Sequence, residues 1–314
     1  MQNNTQPLSY DGLVDFHEIF QILLNGKKLI LSFTAVFILG SILYAVKLPN
    51  EYSSTAVLAP VNQDAGALPS SISRMSGLAS LAGVNVGFKG DPESKIAQEI
   101  IRSWGFIEDF IEKYSLQVEL MAVSGWEKNS NSLIIDSDIY DEENQQWLLE
   151  DDFGELREPT SWELYKRFSK MLTISEDSDG ELVSLKISYY SPYLAKRWVD
   201  LIYKEINMHM QQRKLRKVNS NIEFLQIQIE KTSISHMENV FYTIIEEQMK
   251  SKMIAEASPE HTYVLVSRSM VSEKESGPKR AVYVVFGTLL GFILSLLIVL
   301  LRYKLSASRK QLSN

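Results

Sequence analysis

Two uncharged apolar runs near the ends of the chain limit its possible folds more than any other feature. Residues Ala281 to Leu301 form a run of 21 residues without a charge, and Leu29 to Val46 form a second run of 18. The hydrocarbon core of a bilayer is about 30 Å thick and is crossed by about 20 helical residues. The sequence therefore predicts two transmembrane helices, at 29–46 and 281–301.

A secretory signal peptide is the alternative interpretation of the first run. Its apolar length exceeds the core of about 7–15 residues that signal peptides use. The sequence that follows, YAVKLPN, also lacks the small-x-small pattern at which signal peptides are cut. We therefore expect an uncleaved anchor at the first run.

The charges beside the two runs favour one orientation by a narrow margin. Segments 1–28 and 302–314 place six basic residues near the spans, whereas segment 47–280 places five there. The pair Lys27-Lys28 directly before the first span favours a cytoplasmic start, and a long loop crosses largely regardless of its own charge. We predict that 1–28 and 302–314 are cytoplasmic and that 47–280 is periplasmic.

The composition of the chain excludes several functional classes. Of its 32 basic and 39 acidic residues, 26 and 36 lie in segment 47–280, which argues against nucleic acid as a partner. Without cysteine, the chain has neither disulfides nor thiolate ligands. The sequence contains no G-x-x-x-x-G-K-[ST] loop for nucleotide phosphates and no G-x-S-x-G elbow for a nucleophile.

Metal-binding patterns are weak as well. The four histidines lie far apart, at His17, His209, His236 and His261. Asp136-x-Asp138 begins like a calcium loop, but the required Gly and Glu do not follow, so we interpret the acidic stretch 136–158 as a solvated loop. The sequence therefore predicts a protein that is not an enzyme and that uses no cofactor or metal.

Alternating and β-branched patterns predict the strands. EYSSTAVLAPV at 51–61 is rich in β-branched residues, and ELVSLKISYY at 181–190 alternates cleanly between apolar and polar residues. HTYVLVSRSM at 261–270 also has a strand-like pattern. We predict a further strand in LQVELMAV at 116–123.

Capping signals predict the shorter helices. Asp91-Pro92 is typical of a helix start, and the apolar spacing beyond it predicts one helix to about Tyr114. A second helix, TSWELYKRFSKML, begins at Thr160, where Glu163 completes a capping box.

A long helical segment follows Ser191-Pro192 and continues without Pro or Gly until Pro259. A continuous helix over 192–257 would be about 100 Å long, too far from the second span for the remaining residues to return. Coiled-coil spacing of 3 and 4 joins Leu215, Val218, Ile222, Leu225 and Ile229. This phase breaks at EKTSIS, so we predict a helical hairpin that bends near 230–236 and extends from an α/β base formed by 47–191 and 258–280.

Two further patterns indicate contact surfaces. Gly287 and Gly291, one turn apart in the second span, would let another helix approach closely, although glycine is common in spans. A basic cluster on the long helix consists of Arg213, Lys214, Arg216 and Lys217. It would suit an anionic sugar chain or an acidic face of a neighbouring subunit, and a solvated helix face is the simpler alternative.

These parts, in this order, resemble the Wzz-type chain-length determinants, which are polysaccharide co-polymerases of Gram-negative inner membranes. The resemblance covers nearly the whole chain. It rests on DFHEIFQILLNGKKLI, YSSTAVLAP, SGLASLAG, AQEIIRSWGFIEDFIEKY, SYYSPYLAKRWVDLIYKEIN and PKRAVYVVFGTLLGFILSLLIVLL. The chain departs from the family's proline-rich stretch before the second span, because SRSMVSEKESGPKR has only Pro278.

The resemblance implies an α+β membrane protein in which two transmembrane helices flank a periplasmic α/β base with a long α-helical hairpin. It implies a non-enzymatic regulator of lipopolysaccharide O-antigen chain length, located in the inner membrane with most of the chain in the periplasm. Expected partners are identical subunits in a ring, the O-antigen polymerase, and the lipid-linked or growing polysaccharide.

Two other functions stay open at this point. One is a co-polymerase or export scaffold for capsule, exopolysaccharide or enterobacterial common antigen. The other is a two-span sensor ectodomain. The short segment 302–314 argues against a cytoplasmic kinase or output domain, as some exporters and sensors carry.

Overall fold

The computed structural model describes residues 26–61, 92–178, 182–231 and 235–311, with 303–311 described by backbone alone. Contacts divide the chain into two compact units, 1–48 with 277–314 and 49–276. We name the first the span unit and the second the central unit. The expected N-terminal segment, up to residue 25, and the SGLASLAG loop lie outside the described residues.

The helices and strands within the described ranges follow in chain order. They are α1 (Lys27–Lys47), β1 (Tyr52–Pro60), α2 (Pro92–Arg102), α3 (Trp104–Tyr114), α4 (Gln117–Met121), β2 (Val123–Glu127), β3 (Ser132–Ile135), β4 (Tyr140–Asp141), β5 (Gln146–Trp147), β6 (Leu149–Glu150), β7 (Leu156–Arg157), α5 (Ser161–Met171), β8 (Leu172–Glu176), β9 (Val183–Tyr189), α6 (Pro192–Lys231), α7 (Ser235–Ala257), β10 (Tyr263–Ser267) and α8 (Arg280–Gln311).

Helices α1 and α8 of the span unit contain the two predicted spans. Both are long and apolar enough to cross a bilayer, with mean hydropathies of 2.3 and 2.9 over their most apolar windows. Two hydroxyls of α8 bond back to the helix: Thr288 Oγ1 donates to the Val284 carbonyl at 2.8 Å, and Ser295 Oγ donates to that of Phe292 at 2.7 Å. These polar side chains therefore need no water inside a bilayer.

An antiparallel sheet of four strands, in the order β10-β1-β9-β8, forms the centre of the base. The predicted alternation of β9 is confirmed, because Val183, Leu185, Ile187 and Tyr189 are all buried. Strand β1 lies between β9 and β10, so segments that are distant in sequence meet in one sheet. The predicted strands at 51–61 and 261–270 are likewise present as β1 and β10.

The N-terminal part of α6 covers this sheet and supplies much of the core. Trp198, Val199, Ile202 and Ile206 are fully buried there, and they pack with Phe168 of α5. Burying an apolar side chain of this size stabilises a fold by roughly 1.5–3 kcal/mol. The amphipathic start of α6 therefore anchors the long helix to the base.

The segment 116–123 differs from its predicted strand. Residues 117–121 form the short helix α4, because Leu116 and Leu120, one turn apart, are both buried in the core. The N–H of Ala122 closes the turn on the carbonyl of Val118 at 2.9 Å. The prediction of a strand over the whole segment was wrong, and only Val123 begins β2.

The single helix predicted up to Tyr114 is in fact two helices. Ser103 lies in an extended conformation between α2 and α3, and its side chain accepts a hydrogen bond from the N–H of Phe106. A serine at this position caps the second helix and ends the first. The predicted capping box at Thr160 and Glu163 is confirmed at the start of α5.

The acidic stretch 136–158 folds into small hairpins, β4–β5 and β6–β7. Asp136 accepts the backbone N–H of Asp138 at 3.0 Å, so this carboxylate caps its own turn. Hydrogen bonds, chiefly from Asn144, lower the pKa of Asp141. Across the described ranges, no group of three His, Asp or Glu side chains is arranged to hold a metal ion.

Helices α6 and α7 form an antiparallel pair. Near the base, Gln211 Nε2 donates to the carbonyl of Ala255 at 2.7 Å, and further along Asn221 Nδ2 donates to Gln248 Oε1 at 3.4 Å. The 40 residues of α6 and the 23 residues of α7 account for the predicted hairpin. The predicted bend includes residues 232–234, which lie outside the described ranges.

Candidate functional site

Most of the basic cluster predicted on the long helix lines one cavity of the central unit. Arg213, Lys214 and Lys217 line a cavity of about 350 Å³, whereas Arg216 lies outside its lining. Arginine and lysine side chains three and four residues apart share one helix face, which explains the grouping. Three of the four predicted residues therefore meet at one place.

Residues far away in sequence complete this cavity. Glu93, in the first turn of α2, contributes a carboxylate whose Oε1 lies 3.9 Å from Lys214 Nζ. Asn221, Gln248 and the buried His261 add polar groups from α6, from α7 and from the segment just before β10. Three cations against one carboxylate make the lining electropositive, which favours an anionic group in the cavity.

Burial determines the charge of the cavity's histidine. Desolvation lowers the pKa of His261, and the charge of Lys214 lowers it further, although Glu93 opposes both effects. His209, one turn before the cluster, has its pKa lowered by burial and by Arg216 and Arg213. Both imidazoles therefore favour the neutral form, and the positive charge comes from the lysine and arginine side chains.

Sequence reasoning missed Glu93 and His261. Glu93 follows a helix-start signal, and His261 begins a strand-like segment, but neither pattern indicates a ligand site. The signal is tertiary, because Glu93 lies more than 100 residues before the basic cluster and His261 lies about 50 residues after it. Local periodicity cannot report such a convergence.

The five apolar residues of the predicted hairpin stripe on α6 differ in how far they are buried. Val218 and Leu225 are buried at 3% and 9% exposure. Leu215, Ile222 and Ile229 are half-buried. Their neighbour Phe224 is 60% exposed, so the less exposed side of α6 follows the spacing of 3 and 4.

The two glycines of the second span lie against the first span. A Cβ placed on Gly287 would lie 2.5 Å from Ser41 Cβ, and one placed on Gly291 would lie 2.5 Å from Phe37 Cβ. Carbon atoms that are not bonded to each other do not approach so closely, so any side chain at either position would push α1 and α8 apart. By contrast, a Cβ on Gly40 would meet nothing within 4 Å.

Comparison with known proteins gives one family match. Residues 12–114 match the family model described as Wzz, chain length determinant protein. No curated protein matches the chain.

Two solved structures are among those similar to the chain. One is a full-length bacterial polysaccharide co-polymerase, 14% identical, with 94% of this chain and 99% of that chain covered and a TM-score of 0.36. The other is a fragment of WzzB, a polysaccharide co-polymerase from Salmonella Typhimurium, 11% identical, with 73% and 100% covered and a TM-score of 0.28.

The matched segment runs from before α1 through β1 to the end of α3, and so includes the first span and the first strand of the base. Over residues 12–114, the chain is similar to the Wzz chain length determinant family.

Proposed function

We propose that this chain is a non-enzymatic regulator of lipopolysaccharide O-antigen chain length in the Gram-negative inner membrane. The match of residues 12–114 to the chain length determinant family carries the proposal. Two helices long enough to span a bilayer support the membrane location. In this proposal the central unit lies in the periplasm, where it meets the O-antigen polymerase and the growing polysaccharide.

Exposed apolar side chains on the helix pair support assembly into a homo-oligomer. Phe224, Met253 and Ile254 are 60%, 66% and 60% exposed. Surfaces of single subunits rarely keep large apolar patches in contact with water. A neighbouring copy of the same chain would cover them, and the 3,4-spaced stripe would hold each hairpin rigid within the ring.

The electropositive cavity supports a polar contact in the same assembly. Its three cations suit an acidic group of the growing polysaccharide or a carboxylate of the neighbouring subunit. Neither role needs bond making or breaking, which agrees with a regulator that acts by binding.

Deletion of the gene tests the proposal. We expect the O-antigen ladder on a lipopolysaccharide gel to change from clustered lengths to a graded distribution, and plasmid-borne wild-type protein to restore the clustering. The double variant Lys214→Gln/Lys217→Gln should restore it poorly, whereas Lys250→Gln, on the exposed face of α7, should act as the wild type.

An unchanged ladder in the deletion strain would contradict regulation of O-antigen. In that case, purification of the protein with its partners in mild detergent separates the alternatives. Recovery of an outer-membrane channel would favour an export scaffold for another polysaccharide, whereas recovery of a polymerase alone would favour a co-polymerase for a surface polysaccharide other than O-antigen.

A further inference from the structure

A second cavity of the central unit lies away from the basic cluster. Its volume is about 740 Å³, and its walls come from the residues before β1, from the β2–β3 hairpin and from residues 273–275. Trp126 of β2 contributes an indole to the lining, and Asn50, Glu127, Glu273 and Glu275 contribute polar groups. An aromatic ring beside several hydrogen-bonding groups is the composition of a small-molecule site.

The indole of Trp126 is held in place before any ligand arrives. Its Nε1 donates to Asn131 Oδ1 at 3.0 Å across the hairpin turn. Tyr52 meets it edge-on with ring centroids 5.5 Å apart, and Tyr193 lies tilted at 6.2 Å. Neither tyrosine is parallel to the indole, since the interplanar angles are 79° and 57°. A fixed ring loses little entropy when a ligand stacks on it.

The polar groups around the indole are mostly acceptors. Asn50 Nδ2 donates to Glu275 Oε1 at 2.5 Å, which orients that carboxylate at the rim. Glu127 accepts the N–H of Asn129 at 3.1 Å and keeps further acceptor capacity. With Glu273, three carboxylates face two cations, Lys128 and Lys274. The lining therefore lacks the positive excess of the basic cavity and does not favour an anion.

A pyranose ring has the two properties that this lining complements. Its axial C–H groups form an apolar face with partial positive charge, which is attracted to the negative face of an aromatic ring. Its hydroxyl groups donate hydrogen bonds, which carboxylates accept strongly. A peptide of apolar side chains would instead remove water from the three carboxylates without supplying hydrogen-bond donors, which costs free energy.

We infer that this cavity is a binding site for a neutral or amino sugar residue of a polysaccharide, with the pyranose ring stacked on Trp126. The carboxylates of Glu127 and Glu273 accept hydrogen bonds from hydroxyl or ammonium groups of the sugar. The inference rests on the proposed function for the kind of ligand, and on the cavity for the position and the chemistry.

Saturation-transfer NMR on the full chain in nanodiscs tests the inference. The probe is the O-polysaccharide of the host strain, released from its lipid by mild acid, and dextran serves as the unrelated glycan. We expect transfer to sugar C–H protons, and a loss of affinity of about tenfold in Trp126→Ala. Trp126→Phe keeps a ring and should lose only about twofold to threefold.

A matched variant separates this site from any exposed aromatic ring. Trp162 is 58% exposed on α5 and outside the cavity, so Trp162→Ala should bind as the wild type. If Trp126→Ala does not fold by circular dichroism, Glu273→Gln decides, because it keeps the shape of the rim and should weaken binding several-fold. Equal affinity in Trp126→Ala or Glu273→Gln, or no saturation transfer at all, would overturn the inference.

The deletion experiment keeps the two proposals apart. A changed ladder together with unchanged binding in Trp126→Ala would refute the sugar site and leave the regulator. An unchanged ladder together with Trp126-dependent binding would refute the O-antigen regulator and leave a sugar-binding site.

Discussion

At the scale of single residues, short polar side chains decide where elements of the central unit begin. Thr160 and Glu163 cap α5 reciprocally, and the bidentate hydrogen bonds of Arg157, together with the cap, lower the pKa of Glu163 to about 2. Ser103, between α2 and α3, caps the start of α3. The capping box could be predicted from the sequence because its two residues are three positions apart. The cap at Ser103 was missed because the apolar spacing continues across it.

The buried His261 makes stability depend on pH. Burial lowers its pKa in the folded chain below the ordinary value of about 6.5, so folding favours the neutral ring. The preference of the folded chain for the neutral ring costs no stability above pH 6.5. As the pH falls through 6.5 toward the pKa of His261 in the folded chain, protonation favours the unfolded chain and the free energy of unfolding decreases. We expect the melting temperature in detergent to fall between pH 7.5 and 5.5, and to fall less in His261→Asn.

The control for this prediction is Gln248→Ala, which lines the same cavity without a titratable group. It should keep the wild-type dependence on pH. The pKa of the half-buried His209 is also lowered by desolvation and by Arg216 and Arg213, so His209→Asn should remove a further part of the slope. An identical slope in His261→Asn and wild type would contradict the prediction.

At the scale of elements, apolar patterns predicted strands and spans well, and contacts between elements decided the rest. β9 shows period-two burial, and α1 and α8 coincide with the two apolar runs. The segment of α4 has a mixed pattern, and its helical form depends on Leu116 and Leu120 reaching the core. Short apolar segments are ambiguous between helix and strand until their neighbours are known.

Close packing of the two spans predicts a strong effect of Gly287. A leucine there would collide with Ser41, so α1 and α8 would separate. The wild-type chain has no cysteine. Cysteines placed at Tyr44 and Tyr283, whose rings lie 6.1 Å apart, should therefore be crosslinked efficiently by a short bismaleimide. Gly287→Leu should lower the yield several-fold.

Gly40→Leu is the matched control, because a Cβ at Gly40 meets nothing within 4 Å. It changes the same residue type within the other span and should leave the crosslinking yield unchanged. Equal yields in Gly287→Leu and Gly40→Leu would show that the glycine contact does not set the distance between the helices.

Asn207 joins α6 to β10 inside the core. Its Nδ2 donates to the carbonyls of Tyr203 and Tyr263 at 3.2 and 3.1 Å, and its Oδ1 accepts the N–H groups of Thr262 and Tyr263 at 2.9 Å each. Asn207→Ala would leave several buried backbone groups without partners. We expect a loss of about 3 kcal/mol in the free energy of unfolding, measured with denaturant in detergent.

The exposed Asn221 offers the comparison for this residue. It makes one long hydrogen bond, to Gln248, so Asn221→Ala should change the unfolding free energy by less than about 0.5 kcal/mol. If both alanine variants lost the same small amount, the contacts of Asn207 would not stabilise the attachment of β10.

At the scale of the whole molecule, residues on both sides of the long helix pair build one central unit. Strand β1 follows the first span, and β10 follows α7, yet Leu58 pairs with Leu265 in adjacent strands. The helix pair therefore leaves the base and returns to it without interrupting the sheet. This connectivity places 49 and 276, the two ends of the central unit, next to α1 and α8 in sequence.

Two spans with both chain ends on one side predict one location for the central unit. Alkaline phosphatase fused after Asn50 or after Glu275 should be active, because both sites are expected in the periplasm. A fusion after Gln311 should be inactive, since that side is expected to be cytoplasmic. Inactive fusions at Asn50 and Glu275 would contradict the orientation and, with it, the proposed contact with periplasmic polysaccharide.

Spacing along the chain was enough to predict the two membrane-length helices, the alternating strand, the capping box and the long helical segment. Each of these depends on spacing within about 20 residues, which periodicity and capping report directly. Only the tertiary structure decided that Glu93 and His261 join the basic cluster, that Asn207 fastens β10, and that Asn50 and Glu275 meet beside Trp126. These contacts connect residues from about 50 to more than 200 positions apart, and their free energy depends on burial that arises only when the sheet and α6 have packed.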